Sequence, residues 1–266
     1  MAKRQRLDLS VVERGLAESR SRAQALILAG DVLVNGQRQL RAADFVTPTD
    51  EITLRTKPRF VSRGGEKLAH AIERFGVEVV GVTAADLGAS TGGFTDCLLQ
   101  AGARRVYAVD VGYGQLDERL RTDPRVVVME RTNARYLESF PEAVDIVVAD
   151  LSFISLTLVF PAMVRLLTPD GRGIVLIKPQ FEAGREDVSK GGVVRDPSVH
   201  ARVLHATLTA AADHGLAPVQ LTASPLRGPA GNVEFLALLL RGGVPAGITE
   251  LVANGLAEVE ERTARG

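Results

Sequence analysis

Three charged residues stand where apolar segments begin or end, and a fourth lies upstream of them. Asp150 closes the run 144–150, Lys178 closes 173–178, Glu234 sits at the start of 233–240, and Lys67 lies upstream in Ser62-Arg63-Gly64-Gly65-Glu66-Lys67-Leu68. Charged side chains at the ends of otherwise buried strands need partners, so a Lys–Asp–Lys–Glu cluster at one sheet edge would satisfy itself. Any one of them alone could be a structural ion pair, but four beside a glycine-rich loop favour catalysis. Such a set suits the activation of a poorly acidic hydroxyl, which needs a nearby base and cations for the developing alkoxide. A second ammonium and a desolvated site both lower a lysine's pKa. Lys178 is therefore the expected base and Lys67 its depressing neighbour, with Asp150 and Glu234 orienting the lysines and balancing their charge.

The glycine-rich loop is Asp86-Leu87-Gly88-Ala89-Ser90-Thr91-Gly92-Gly93-Phe94, which follows an apolar run and opens an amphipathic one. A strand-to-helix turn without Cβ atoms lets a ligand press against backbone. The acid precedes the glycines, and no Gly-x-Gly-x-x-Gly spacing is present. A second acid, Asp110, ends the next apolar run 24 positions later, where a carboxylate can hold ribose hydroxyls. Helix capping by Asp86 and a simple strand end at Asp110 are the plainer alternatives. Both acids in register make a ligand site the better one. His70, His200, His205 and His214 lack ligand spacing, so no metal is expected. Cys97, the one cysteine, sits in an Ala/Leu-rich run and suits a core position better than a nucleophile.

These residues need a scaffold, and two are legible. Leu7, Leu9, Val12 and Leu16 predict a first helix stopped near Gly15. Ser19 or Ser21 can cap a second helix, with Ala23, Leu26, Ile27 and Ala29 as apolar positions and Gly30 as its end. Asp31–Gly36 then reads as a strand entering an Asn-Gly hairpin turn, and Val46, Ile52 and Leu54 supply further strand residues. Residues 1–54 form this small α+β domain and 55–61 a polar linker. From about Val77, apolar runs at 79–87, 105–110, 126–129, 144–150, 173–178, 218–223 and 233–240 alternate with amphipathic segments such as 94–100, 156–167 and 199–213. That alternation predicts an α/β domain over 62–246, a doubly wound and mostly parallel sheet with ligands at the carboxyl ends of its strands. Residues 247–266 read as a mixed polar tail, a short surface helix or a frayed end. The loop 182–196, with Gly184, Gly191 and Gly192, is expected to move and to close over a substrate.

The first domain resembles the alpha-L RNA-binding motif of a small-subunit ribosomal protein. The matching residues are Arg6-Leu7-Asp8, 15–24 (Gly-Leu-Ala-Glu-Ser-Arg-Ser-Arg-Ala-Gln) and 30–36 (Gly-Asp-Val-Leu-Val-Asn-Gly). Arg6, Arg14, Arg20 and Arg22 are expected to gather on one two-helix face that holds phosphates without reading bases. The loop and its acids look like the S-adenosylmethionine site of FtsJ-like methyltransferases. That resemblance assigns Asp86, Gly88, Ser90, Gly92 and Asp110 to the cofactor, with Asn133 or Thr132 at the adenine end. Lys67, Asp150, Lys178 and Glu234 resemble the tetrad of ribose 2′-O-methyltransferases. Asp150-Leu151-Ser152-Phe153 lacks the prolines of amino methyltransferases. Over nearly its full length the chain is similar to the TlyA family, through 61–64 (Val-Ser-Arg-Gly), 112–116 (Gly-Tyr-Gly-Gln-Leu), 131–135 (Arg-Thr-Asn-Ala-Arg) and 191–194 (Gly-Gly-Val-Val). The resemblance implies a Rossmann-like, S-adenosylmethionine-dependent domain that methylates cytidine ribose in rRNA of both ribosomal subunits, with a link to capreomycin and viomycin susceptibility.

The bulk properties agree with a globular cytoplasmic protein. Of 266 residues, 45% are apolar and 24% charged, and a single cysteine excludes an intrachain disulfide. Net charge is zero, yet residues 1–67 hold 13 Lys/Arg against 8 Asp/Glu, so the front is basic and the rest acidic. No leader, spanning stretch or strongly cationic amphipathic helix is evident, which disfavours the membrane-lytic haemolysin class attached to some relatives. A non-catalytic RNA-binding assembly factor is the other rival, and the intact tetrad opposes it. Nothing in the residues specifies an oligomeric state.

Overall fold

A computed structural model describes residues 4–55 and 58–265, with the side chains of all but Arg185 and Arg265. Thr56 and Lys57 of the expected linker lie outside the described residues. The chain divides into two compact units, 1–58 and 59–266.

In the first unit, β1 (Gln5–Arg6) leads into α1 (Leu7–Glu13) and α2 (Arg20–Leu28). Ser19 caps α2 by accepting from the Arg22 N–H. The strands β2 (Val32–Val34), β3 (Gln37–Arg38), β4 (Phe45–Val46) and β5 (Ile52–Leu54) follow. One sheet has the order β3-β2-β5, and β1 pairs with β4. The β2–β3 turn is Asn35-Gly36, both at positive φ as a two-residue hairpin turn of this twist demands. Leu7, Val11, Ala23, Ile27, Val32 and Ile52 make the small core.

In the second unit, α3 (Gly64–Phe75) precedes β6 (Thr83–Leu87), α4 (Gly93–Gln100), β7 (Arg105–Val109), α5 (Glu118–Arg121) and β8 (Val126–Met129). Then come β9 (Val144–Ala149), α6 (Phe160–Leu166), β10 (Leu167–Ile177), α7 (Pro179–Glu182), α8 (Pro197–Asp213), β11 (Leu216–Ala223), β12 (Phe235–Arg241) and α9 (Ile248–Arg265). The seven strands take the order β11-β12-β10-β9-β6-β7-β8. β12 runs antiparallel to both its neighbours, and the pairs from β10 through β8 are parallel. Alternation along the strands feeds two cores: Val147, Ala149, Val175 and Ile177 face one, Ile146, Val148, Ile174 and Leu176 the other. The order reverses between β6 and β9, which is where such sheets open a crevice at their carboxyl ends.

Several boundaries differ from the sequence expectation. The run 79–87 is a strand only from Thr83, because Gly81 turns the chain at φ +76. The span 156–167 breaks into a 3₁₀ turn (Leu156–Leu158) and α6. Phe60, expected in the linker, is 3% exposed and packs in a core of the second unit. Lys67 lies not in a lead-in segment but on α3, whose Leu68, Ala71 and Phe75 are buried and whose stop is Gly76. The expected polar tail is an 18-residue helix, α9. Leu251, Val252, Leu256 and Val259 pack into the sheet's core, and Glu258 accepts from Thr222 Oγ1 at 2.5 Å and the Ala223 N–H at 2.9 Å.

Candidate active site

The strand ends converge as the sheet order requires. Asp110, Asp150 and Lys178 immediately follow β7, β9 and β10. Glu234 immediately precedes the antiparallel β12, so it reaches the same edge from the opposite chain direction. Lys67 is delivered from α3. Two cavities open there, of about 780 and 570 Å³, and Ser90, Asp150, Ser152 and Phe153 line both.

The larger cavity holds the charged pairs. Lys67 Nζ meets Glu234 Oε2 in a buried ion pair, with Glu234 1% and Lys67 10% exposed. Lys178 Nζ lies 2.6 Å from Asp150 Oδ1 and donates to Ser152 Oγ at 2.9 Å. Asp150 Oδ1 is buried and accepts no hydrogen bond of good angle despite that contact, so part of its accepting capacity is unused. All four expected residues therefore line one cavity, as two lysine–carboxylate pairs. Each buried ammonium has found a carboxylate, which offsets its desolvation better than a like charge would.

The smaller cavity is walled by Gly88, Ser90, Asp110, Gln115, Thr132 and Asn133, together with Val111 and the 150–154 segment. Asp110 organises it: Oδ2 accepts the Ser90 N–H at 2.8 Å and Oδ1 the Gly112 N–H at 2.7 Å. Asn133 Oδ1 accepts the Arg135 N–H at 3.0 Å, so this side chain also caps a local turn. Gly88 has φ +87, and a Cβ there would stand 2.7 Å from the Asp150 carbonyl oxygen. Asp86 and Gly92 lie behind the wall instead of on it. Gly92, at φ +93, lets the loop close on Leu116 and Leu120, where a Cβ would stand 2.2 Å from a Leu120 methyl.

Asp86 is fully buried at the head of α4. Its Oδ2 accepts the Thr95 N–H at 2.9 Å and Thr95 Oγ1 at 2.7 Å, while Oδ1 has no partner. Burial, followed by the nearby negative charges of Asp150 and Asp110, pushes its carboxyl up to about 7 despite the Thr95 bonds. Three acids thus crowd one sheet edge, Asp86 with an oxygen that has no partner and Asp150 with one that meets only the Lys178 ammonium, an arrangement that fits a cationic ligand.

Sequence reasoning missed several residues of the larger cavity. Phe153 is 91% exposed at φ +64, with its ring centroid 5.1 Å from that of Phe181. Lys178 Nζ is 5.8 Å from the Phe181 centroid. Arg63 is exposed on the wall, and Asn232 is buried beside it. The signal for Phe153 was its place three residues after a strand-end acid, since that loop must cross the cavity mouth.

The four arginines of the first unit do not form one free face. Asp8 is buried and accepts from Arg6 at 3.0 and 2.9 Å, Arg20 at 3.0 Å and Gln24 at 2.9 Å. Arg14 instead donates to the carbonyls of Asp50, Thr47 and Pro48. Arg22 is exposed, and no ion pair is seen for it among the described residues. The sequence count of arginines could not show that one buried acid gathers two of them. Cys97 is a core residue, its thiol pushed up to about 12 by burial. Among the described residues no group of His, Cys, Asp and Glu is arranged to hold a metal, and no helix is long and apolar enough to cross a membrane.

Comparison with known proteins gives this architecture its relatives. Residues 60–241 match the FtsJ-like methyltransferase family and residues 5–52 the S4 domain family. The 16S/23S rRNA (cytidine-2′-O)-methyltransferase TlyA of Mycobacterium tuberculosis is 50% identical over 239 residues, covering 88% of this chain and 89% of the relative. Hemolysin A of Brachyspira hyodysenteriae is 46% identical over 235 residues, 87% of this chain and 98% of that one. A solved structure from Streptococcus thermophilus, also bearing the hemolysin name, superposes with a TM-score of 0.74 at 40% identity. The match covers 99% of this chain and 100% of that chain.

Proposed function

Because the chain belongs to the FtsJ-like methyltransferase family and carries an S4 domain, we propose that it methylates the 2′-hydroxyl of cytidines in ribosomal RNA from S-adenosylmethionine. The carrying observation is the Lys178–Asp150 pair on the wall between two cavities. One cavity is edged by acids, the other by lysines, and Asp150 belongs to both.

Gly88, Ser90, Asp110 and Asn133 would hold the cofactor along the smaller cavity, with Asp110 toward the ribose hydroxyls. Asp86 and Gly92 shape the loop from behind. Bound there, S-adenosylmethionine supplies an electrophilic methyl on a sulfonium. The chain's own residues do the rest in the larger cavity. Lys178 and Asp150 hold the acceptor hydroxyl and take its proton as the oxygen–methyl bond forms, the pair hosting that proton on either member. The Lys67 ammonium, fixed by Glu234, faces the negative charge that develops on the oxygen. The exposed ring of Phe153 offers a stacking face for a base turned out of its helix. In the first unit, Arg6 and Arg20, anchored on Asp8, and the exposed Arg22 would contact phosphates, with Arg14 tied to the 47–50 turn. Modification of both ribosomal subunits in the cytoplasm, and a resulting susceptibility to capreomycin and viomycin, belong to the same proposal through the TlyA resemblance.

The test is transfer of radiolabelled methyl from S-adenosylmethionine to unmodified ribosomal subunits, with Lys178→Ala beside the wild type. The expected result is label at a position that resists alkaline hydrolysis, reduced about 10²–10⁴-fold in the variant while cofactor binding persists. Cofactor and RNA binding without transfer by the wild type would refute the proposal and favour an assembly factor.

A further inference from the structure

Two glycine-containing turns form one lip of the larger cavity. The first runs 189–193, closed by Ser189 N–H to Val193 O at 3.1 Å and Gly192 N–H to Ser189 O at 2.9 Å. The second runs 228–232, closed by Gly228 N–H to Asn232 O at 2.9 Å and Gly231 N–H to Gly228 O at 2.8 Å. Gly191 and Gly192 from one, and Pro229 and Ala230 from the other, line the cavity.

Asn232 joins these turns. Its side chain is buried, 2% exposed, and uses both ends of its amide. Nδ2 donates to Gly192 O at 2.8 Å, and Oδ1 accepts the Val194 N–H at 3.0 Å. The carbonyl of Val194 is held in turn by His200 Nε2 at 3.1 Å. Val194 itself is buried in the sheet's core, so the turn it follows is tied to a fixed point. Two residues beyond Asn232 stands Glu234. A Cβ on Gly228 would lie 2.5 Å from Glu234 Oε1, so the second turn sits directly against that carboxylate.

We infer that Asn232 is a positioning residue, a staple that fixes the 189–193 turn against the 228–232 turn and so sets the width of the cavity that receives the acceptor nucleotide. An asparagine is what the geometry needs, because one carbonyl and one N–H must be satisfied side by side. Asp keeps the acceptor but loses the donor to Gly192, and Ala loses both. The nucleotide part of this inference rests on the ribose-methylation proposal above; the staple itself does not.

The experiment uses the full chain with Asn232→Ala and Asn232→Asp. Lys190 is exposed within the first turn and Arg195 just beyond it, so limited trypsin digestion without RNA reports its release. Cleavage after Lys190 in Asn232→Ala should rise about tenfold, the loss of roughly one to two hydrogen bonds. Titration of unmodified subunits should show KM raised about tenfold with kcat within about twofold, since ground-state binding is what the lip supplies. The cofactor Kd, measured by calorimetry, should not change. Asn232→Asp should also show the increased cleavage while still melting in one cooperative transition, which keeps the test open if the alanine variant folds poorly. Wild-type digestion and KM in both variants, or a fall in kcat alone with an unchanged digest, would overturn the staple. Should the wild type transfer no methyl to RNA, the ribose proposal falls, and the digest alone decides the staple.

Discussion

Asp86→Asn should make the cofactor-free protein less sensitive to rising pH. The wild-type carboxyl is fully buried and pushed up to about 7, chiefly by desolvation, from an ordinary value of 3.8. The folded state therefore binds more protons than the unfolded state between those values, and stability falls as pH rises through that window, levelling above about 7. Each unit is worth about 1.4 kcal/mol, so the shift costs on the order of 4 kcal/mol at pH 8 and about 2 at pH 5. Asparagine cannot ionise and is free of this term, although an unpaired buried amide costs about 1–3 kcal/mol at every pH. The difference between variant and wild type should therefore grow by about 2–3 kcal/mol from pH 5 to pH 8, or roughly 5–10 °C in Tm for a domain of this size. Calorimetric melting of both proteins without cofactor across that range measures it. Parallel Tm–pH curves would refute the desolvation argument. A variant stabilised at high pH that binds S-adenosylmethionine more weakly would mark the buried charge as retained for function.

Removing Glu234 alone, as Glu234→Leu, strands the Lys67 ammonium and should destabilise by about 3–5 kcal/mol, whereas Lys67→Met with Glu234→Leu should come close to wild-type stability. Both proteins should lose methyl transfer, so denaturant midpoints and activity would part company; equal midpoints for the single and double variants would deny the pairing. Asp8→Ala leaves Arg6, Arg20 and Gln24 without their shared buried acceptor. Arg6, then Gln24 and Arg20, hold the Asp8 carboxyl well below the usual range, so the stability it lends is present above pH 4 and lost as pH falls below that value. The variant should weaken RNA binding and reduce its salt dependence in filter-binding assays, and an unchanged salt slope would show that these arginines do not meet phosphate.

The strand-end chemistry was legible because an apolar run that stops on Asp or Lys carries its own location. Asp110, Asp150 and Lys178 needed only the parallel sheet to share an edge. Glu234 needed the antiparallel β12 as well, and Lys67 needed a helix that opens with Gly64-Gly65 and has no side-chain cap, a weak start signal. Pairing was legible in part: each lysine was expected to have an orienting acid, but that Glu234 serves Lys67 and Asp150 serves Lys178 needed the fold. The arginine face misled for a similar reason, since Asp8 was read as part of a motif and not as an acceptor. In α9, Gly255 and the scattered acids disguised an apolar stripe. The glycine is there for packing, since a Cβ would come within 2.8 Å of a Leu221 methyl.

Charge is divided between the two cavities. On the smaller cavity's side, Asp86 and Asp110 add to Asp150, and the Asp86 carboxyl is raised first by burial and then by their negative charge. On the other side, Asp150 and Glu234 are each matched by one lysine, and the exposed Arg63 adds a cation at the wall. A cationic ligand therefore gains by entering one cavity and a phosphate-flanked group by entering the other. Asp150 is common to both walls, so any change in the first cavity's charge acts directly on the Lys178–Asp150 pair proposed to accept a proton in the second. At 2.6 Å from Lys178, that carboxylate joins the proposed cofactor cavity to the proposed base through a single residue. This requires β9 to end where it does, at the reversal of the sheet, with Gly88 on β6's loop yielding to the Asp150 carbonyl.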